Sequence, residues 1–170
     1  CQQIQFQLLS PMRIQEILQQ LHPERQSQIG LVAALAQGSI STAETLLANE
    51  EISAARQDFY QLLERISTLR PAQIISWCEQ WDKNKKMVKA LLELGQLWYH
   101  DLLLANTAGQ WSLLINQDYL ASLKAQQTEP QQLLTILQYF QTGMAQLESN
   151  ASPRLVLEIA LLKTQNALTA

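Results

Sequence analysis

The chain has 170 residues and a mass of 19.3 kDa, enough for one sizeable hydrophobic core or for a small domain beside a larger one. Hydrophobic residues make up 47%, and 12 Lys and Arg stand against 15 Asp and Glu, which gives a net charge of −3. This composition excludes a disordered tail, and it disfavours a protein that binds DNA on its own, because phosphate contacts require a surplus of basic residues. No apolar run reaches the roughly 18 residues of a membrane helix, so we expect no membrane span.

The residue types favour helices. Leu (31 residues) and Gln (25) dominate, whereas Gly and Pro, which interrupt helices, occur only five times each. The two cysteines, Cys1 and Cys78, are too few for a disulfide scaffold, which fits a reducing cytosol. The first residue is not Met, and we expect the chain to be a piece of a longer protein.

The first predicted element in chain order is a strand. Residues 3–8 alternate polar and apolar side chains, which predicts the last strand of a domain that precedes this chain. The helical spacing of apolar residues after it, together with five prolines at plausible helix starts, predicts an all-α protein. The predicted helices are 11–21, 23–36 (ending at Gly38), 42–48 (capped by Ser39 or Ser41), about 52–69, 71–81, 87–105 (ending at Asn106 to Gly109), 116–124, 130–147 and 154–168.

Several residue types that often work in active sites have a plainer interpretation here. His22 precedes Pro23 at a helix boundary, which favours a capping or surface role. His100 and Asp101 could suggest a general base, but neighbours on a helix point to different faces. Cys78 lies between tryptophans on an apolar helix and is predicted to be a buried, inert thiol.

Four tryptophans and one basic cluster complete the candidates. We expect Trp98 in the core, whereas Trp77, Trp81 and Trp111 can be core residues or interface anchors. The lysines at 83, 85, 86 and 89 form the one basic cluster, interpreted as a solvated helix start rather than a nucleic-acid or subunit contact. Since no phosphate loop, metal-ligand cluster or catalytic constellation is visible, we predict no catalytic residues, no cofactor and no metal.

Three local patterns resemble one family. Residues 1–10, which read Cys-Gln-Gln-Ile-Gln-Phe-Gln-Leu-Leu-Ser, resemble the segment after the Ser-Arg-Cys motif of AAA+ clamp-loader subunits. Residues 33–39 with Ala43 resemble the lid of the same proteins, an apolar helix that ends in Gly-Ser. Residues 150–158 resemble the start of their last collar helix, where Asn-x-x-Pro-Arg-x-x-Leu-Glu is typical. The chain is therefore similar to bacterial DNA polymerase III clamp-loader subunits over its whole length.

The resemblance also implies the type of subunit. ATP-binding gamma/tau subunits carry a lid sequence Gly-Ser-x-Arg-Asp-Ala, whose Arg reaches the nucleotide, but here Ser41 occupies that position. A neutral hydroxyl cannot replace a guanidinium on a phosphate, so the delta-prime type, with its degenerate nucleotide site, is favoured. Delta-prime subunits complete a pentamer with delta and gamma/tau, and their arginine finger would lie one residue before Cys1.

The resemblance thus implies a small three-helix AAA+ lid domain over residues 1–50, in which residues 1–8 are the end of an ATPase-core strand. A helical-bundle collar domain follows over residues 51–170. The expected function is to hold the subunit in the ring that loads the sliding clamp on DNA during replication, without catalysis in this fragment although the parent holoenzyme is a DNA-directed DNA polymerase.

The expected partners are delta and gamma/tau, contacted through the collar, with DNA reached only through the complex and no small-molecule substrate. Pro153, Arg154 and Glu158 are the candidate collar-interface residues, and the expected location is the bacterial cytoplasm. The alternatives are a gamma/tau-type subunit and an unrelated helical protein-interaction scaffold.

Overall fold

A computed structural model describes residues 8–36, 38–108 and 111–169. Within these ranges the chain forms nine α-helices, five short 3₁₀ turns and no strand, which confirms the all-α prediction. Apart from Leu8, which has no regular structure, the predicted strand at residues 3–8 lies outside the described residues, as does Cys1. The helices are α1 (Pro11–Leu21), α2 (Gln26–Leu35), α3 (Ile40–Leu47), α4 (Glu50–Arg65), α5 (Pro71–Cys78), α6 (Lys85–Ala108), α7 (Leu120–Ala125), α8 (Pro130–Glu148) and α9 (Pro153–Thr169).

The helix starts follow from local chemistry. Proline is the first residue of α1, α5, α8 and α9 and of the 3₁₀ turn Pro23–Arg25, because its fixed φ suits a first turn and its missing N–H has no helical partner there. Ser10 and Ser39 cap α1 and α3 by accepting hydrogen bonds from backbone N–H groups three residues ahead, each at 3.3 Å. Because Ser39 is the cap, α3 begins at Ile40 and not at Thr42 as predicted.

The buried apolar residues form two clusters. The smaller one joins α1, α2 and α3 and contains Ile14, Leu18, Ile29, Val32, Ala33, Ala36, Ala43 and Leu47. The larger one is built from α4 to α9 and also takes Leu31 and Leu35 from α2. Helix α2 therefore contributes to both cores, with two sides of the same helix buried against different neighbours. The predicted domain boundary after residue 50 falls at the start of α4, where the Asn49 side chain caps the helix.

Helix α6 is the central element of the larger core. It packs against α4, α8 and α9 and buries Leu91, Trp98 and Leu102 completely. It is longer than predicted, beginning at Lys85 after the capping side chain of Asn84 and ending at Ala108. The predicted end at Asn106 is wrong because the side chain of Asn106 finds a partner outside the helix, donating to the Thr128 carbonyl at 3.2 Å, and so does not compete with the helical backbone.

None of the helices in the described ranges combines the length and apolar character that crossing a membrane requires.

Candidate subunit-contact site

The connection from α8 to α9 contains the first residues of the Asn-x-x-Pro-Arg pattern. Asn150 has a φ of 62°, the left-handed region that Asn tolerates better than most residues. The Ala151 N–H donates to the Gln146 carbonyl at 3.1 Å, which closes the end of α8, and Lys85 Nζ donates to Asn150 Oδ1 at 3.1 Å. Asn150 therefore has a local structural role, because its left-handed backbone conformation forms part of the turn that leads from α8 into α9.

The structure brings two of the three predicted interface residues together. Arg154 Nε donates to Glu158 Oε1 at 2.6 Å, one helical turn further on, and Arg154 Nη2 lies 3.4 Å from Glu79 Oε1. The hydrogen bond to Glu158 raises the pKa of Arg154, so its guanidinium stays charged. Pro153 is half-buried at the first position of α9. Arg154 therefore ties α9 to the turn before α6, and its contact with another subunit stays a prediction.

Helix α9 has an apolar side that its own chain covers only in part. Leu155 is 55% exposed and Ile159 46%, and Leu162, which is partly buried against the larger core, follows at the next helical turn. Their spacing of four and three residues places them on one side of the helix, and we call these three residues the α9 outer stripe. The opposite side is in the larger core, where Val156, Leu157, Ala160 and Leu161 are buried.

The far end of α9 is fixed by a buried glutamine. The Gln165 side chain donates to the carbonyl groups of Ile66 and Leu69 at 2.8 and 2.5 Å, which satisfies the backbone of the 3₁₀ turn that follows α4. Since buried polar groups are costly unless they are paired, this arrangement holds α9 in a defined rotation. The outer stripe is therefore a fixed surface and not one of several orientations of the helix.

The lid pattern has a structural basis of its own. Gly38 has a φ of 85°, and a Cβ added there would lie 2.6 Å from Leu8 Cβ, so only glycine fits. Residue 37 of the pattern lies outside the described residues. Ser41 is exposed in the first turn of α3, and its carbonyl accepts a hydrogen bond from Thr45 Oγ1 at 2.8 Å. Its position thus offers no cationic group to a phosphate.

The remaining candidates fall mostly where the sequence predicted. Cys78 and Trp98 are fully buried, and burial raises the pKa of the Cys78 thiol to about 12, which makes it inert at neutral pH. His22 is the C-cap of α1 and is partly exposed. The lysines at 83, 85 and 86 are exposed, as expected of a solvated helix start. Trp77, Trp81 and Trp111 are half-buried against the larger core.

His100 and Asp101 lie on different sides of α6, as predicted, because the His100 side chain is 51% exposed whereas that of Asp101 is fully buried. Their nearest polar atoms, His100 Nδ1 and Asp101 Oδ1, are 3.9 Å apart, an ion-pair distance rather than a hydrogen bond. The interaction with the carboxylate raises the pKa of His100, although partial burial opposes it. Asp101 is fully buried, and its carboxylate accepts hydrogen bonds from the backbone N–H groups of Ile115 and Asn116. It is therefore a structural acceptor and not the partner of a general base.

Sequence reasoning missed a buried polar cluster. Arg56 on α4 is 7% exposed and donates to both oxygens of Asp118, at 2.7 and 2.8 Å, and to Asn116 Oδ1 at 2.9 Å. Tyr60 also donates to Asn116 Oδ1 at 2.9 Å. These residues are about sixty positions apart in the chain, so no local spacing predicts their meeting. The one available signal is an arginine on the apolar side of a helix.

An open groove of about 530 Å³ lies between the end of α6, α7 and the start of α8. Lys124 stands over the Trp111 ring, with Nζ 5.1 Å from the ring centroid, and Glu129 is on the same wall. Neither histidine nor cysteine is among the described residues that line it. Across the described parts of the chain, no three His, Cys, Asp or Glu side chains are grouped closely enough to hold a metal ion.

Comparison of the chain with known protein families, with characterised proteins and with solved structures finds no match.

Proposed function

We propose that this chain is the lid and collar portion of a delta-prime-type subunit of a bacterial DNA polymerase III clamp loader. Residues 1–50 would form the AAA+ lid and residues 51–170 the collar. In this proposal the chain works in the bacterial cytoplasm, contacts delta and gamma/tau subunits through its collar, and has no catalysis of its own. It reaches DNA only through the assembled loader.

The observation that carries the proposal is the α9 outer stripe. Leu155 and Ile159 are about half exposed on a helix whose rotation is fixed, and they follow directly after the Asn-x-x-Pro-Arg segment that resembles the collar. A subunit of a closed ring must offer surfaces to two neighbours, and apolar side chains at the centre of such a surface contribute most of the binding free energy. A stripe of this kind suits a collar contact.

Two further observations support the same proposal. The glycine and asparagine of the resembling patterns both occupy backbone conformations with positive φ, at Gly38 and Asn150. These are the turns that lead into α3 and α9, so the patterns coincide with structural corners of the chain and not with arbitrary stretches of sequence. The proposed lid and collar also correspond to the regions that contain the two core clusters, with α2 shared between them.

The delta-prime type is proposed over the gamma/tau type because of Ser41. Its exposed hydroxyl cannot supply the bidentate, charged contact that an arginine makes to a phosphate. A calorimetric titration with ATP and magnesium separates the two types. We expect no binding heat from this chain, whereas a dissociation constant in the micromolar range would favour the gamma/tau type.

Size-exclusion chromatography tests the assembly itself. The chain is mixed at micromolar concentration with the delta and gamma/tau subunits of the same organism, and we expect it to elute with them in low and moderate salt. Replacing Arg154 by Glu reverses one charge and is expected to weaken co-elution while the helical content is retained. Elution of the wild-type chain alone would contradict the collar assignment and would favour an unrelated helical scaffold.

A further inference from the structure

Helix α2 and the loop before α7 form one part of the contact between the two groups of helices, to which Leu46 of α3 also contributes. Helix α2 buries Leu31 and Leu35 in the larger core, and a Cβ added at Gly30 would lie 3.6 Å from the carbonyl oxygen of Ile115. Thus α2 lies against the backbone of the segment 114–118, between α6 and α7. The segment 114–118 belongs to the group of helices α4–α9 that forms the larger core.

Apolar packing alone does not give this contact a direction. Helix α2 is apolar on two sides, since Ile29, Val32 and Ala36 face the smaller core while Leu31 and Leu35 face the larger one. Hydrophobic burial depends on area and not on orientation. Two open grooves, of about 450 and 410 Å³, border α2 and leave space beside it. We therefore expect an interaction with a defined geometry, such as a hydrogen-bonded cluster, to fix the orientation of α2 relative to the larger core.

The buried polar cluster supplies that direction. Asp101 on α6 accepts from the Ile115 N–H at 3.0 Å and the Asn116 N–H at 2.7 Å, and it also accepts from the Asn116 side chain at 2.8 Å. At the other end of the segment, Arg56 on α4 donates two hydrogen bonds to the Asp118 carboxylate. The segment 114–118 is thereby fixed to two helices at once, although most of its backbone belongs to no helix.

Arg56 also lies at the junction with α2. Its guanidinium carbon is 4.9 Å from the centroid of the Tyr60 ring and 5.0 Å from that of Tyr119, so it packs against a pair of rings that also contact each other edge-on. It further lines a crevice of about 30 Å³ together with Leu31 and Leu35, so little free space separates α2 from α4. Burying charges is expensive and adds little net stability, and its best-attested use is to select one geometry.

We propose that the cluster of Arg56, Asp101, Asn116 and Asp118 is a conformational lock, which holds the segment 114–118 as a platform for α2 and so fixes the orientation of helices α1–α3 on helices α4–α9. The lock acts through shape, since hydrogen bonds to Asp101 and Arg56 hold the platform in place and the backbone of α2 approaches it closely at Gly30. It does not depend on the identity of any partner or on the proposed function.

Double electron–electron resonance tests the lock in the full 170-residue chain. Spin labels are attached at Gln20→Cys on α1 and Gln138→Cys on α8, both exposed, after Cys1→Ser, while buried Cys78 stays unlabelled. We expect one narrow distance peak for this background. Arg56→Met keeps the apolar stem but loses the directional bonds, and it should broaden the peak or add a second one while circular dichroism retains the helical signal.

A second variant allows the test even if Arg56→Met does not fold. Gly30→Leu places a bulky side chain toward the Ile115 carbonyl and should also shift or broaden the peak, whereas Gly30→Ala fits at ordinary contact distance and should not. Arg13→Met removes an exposed ion pair on α1 and serves as the matched arginine control. A broad peak in the background chain would overturn the proposal. An unchanged narrow peak in folded Arg56→Met would also overturn it. If Arg56→Met does not fold, an unchanged narrow peak in Gly30→Leu would overturn it instead.

Discussion

Asp101 lies on the buried side of α6 and uses both carboxylate oxygens on the segment that follows the helix. One oxygen accepts from the Ile115 N–H and the other from two donors of Asn116. Three N–H donors are therefore satisfied by one side chain at the place where the chain leaves helical structure. A neutral amide has the same shape but would turn its own N–H₂ group toward one set of these donors.

We expect Asp101→Asn to lower the free energy of unfolding by about 1–3 kcal/mol, because at least one buried N–H loses its acceptor. Urea denaturation followed by tryptophan fluorescence measures the change. Asp82→Asn, at an exposed position, is the matched control and should have a much smaller effect. Equal stability of the two variants would show that the carboxylate does not hold the segment 115–116.

His100 adds a pH dependence to the same acid. Its pKa is raised in the folded protein, so the protonated form is favoured by folding. The resulting stability is fully present below the unfolded pKa of about 6.5 and is lost as the pH rises through the folded pKa. Because the ring is half exposed, the contribution should stay below about 1 kcal/mol.

The difference between wild type and His100→Gln isolates this contribution, since every other titrating group is common to both proteins. We expect the wild type to be the more stable of the two near pH 6, and the difference to shrink toward pH 8 and above. Thermal unfolding at several pH values gives the comparison. A difference that grows with pH would have the wrong sign for a raised histidine pKa.

At the scale of the helices, close packing of α6 on α8 depends on small residues. A Cβ added at Gly95 would lie 2.2 Å from Phe140 Cε1, and the fully buried Phe140 ring has little room to move. A Cβ at Gly143 on the other helix would lie 3.3 Å from Leu92 and Val156, a distance that small side-chain shifts relieve. The two glycines therefore differ in how much they limit the helix separation.

This difference predicts an order of stabilities. Gly95→Ala should lower the free energy of unfolding by about 1–3 kcal/mol, because overpacking forces a ring or a helix out of place. Gly143→Ala gains the same helix propensity, and its Cβ would meet Leu92 and Val156 only at 3.3 Å. It should therefore lower the free energy of unfolding clearly less than Gly95→Ala. Chemical denaturation of both variants measures the order, and Gly143→Ala being the more destabilised would contradict the packing described for α6 and α8.

The elements were predictable from sequence where their causes are local. Proline at a first helical position and Ser39 as a cap act within one turn, so most helix starts were found within a few residues. The extension of α6 to Ala108 was not predicted, because Asn106 is satisfied by a carbonyl 22 residues away. The cluster around Arg56 was missed for the same reason: it joins residues that are distant in the chain, and only the folded structure brings them together.

At the scale of the whole molecule, the chain combines a fixed interior with an uncovered apolar side. Gln165 sets the rotation of α9, and Leu155 and Ile159 of the outer stripe then face away from the core, while Leu162 is partly buried against it. In the proposed loader this stripe would contact a neighbouring collar. A charge placed there should reduce assembly without unfolding the chain, since both Leu155 and Ile159 are about half exposed.

Native mass spectrometry of the chain mixed with delta and gamma/tau subunits tests the central claim most directly. The proposed function predicts a pentamer that contains a single copy of this chain, and it predicts loss of that species with Ile159→Glu. Met12→Glu, which is exposed on α1 outside the collar region, is the matched control and should assemble as wild type does. Spectra in which the wild-type chain appears in no complex with delta or gamma/tau would contradict the assignment to a clamp loader.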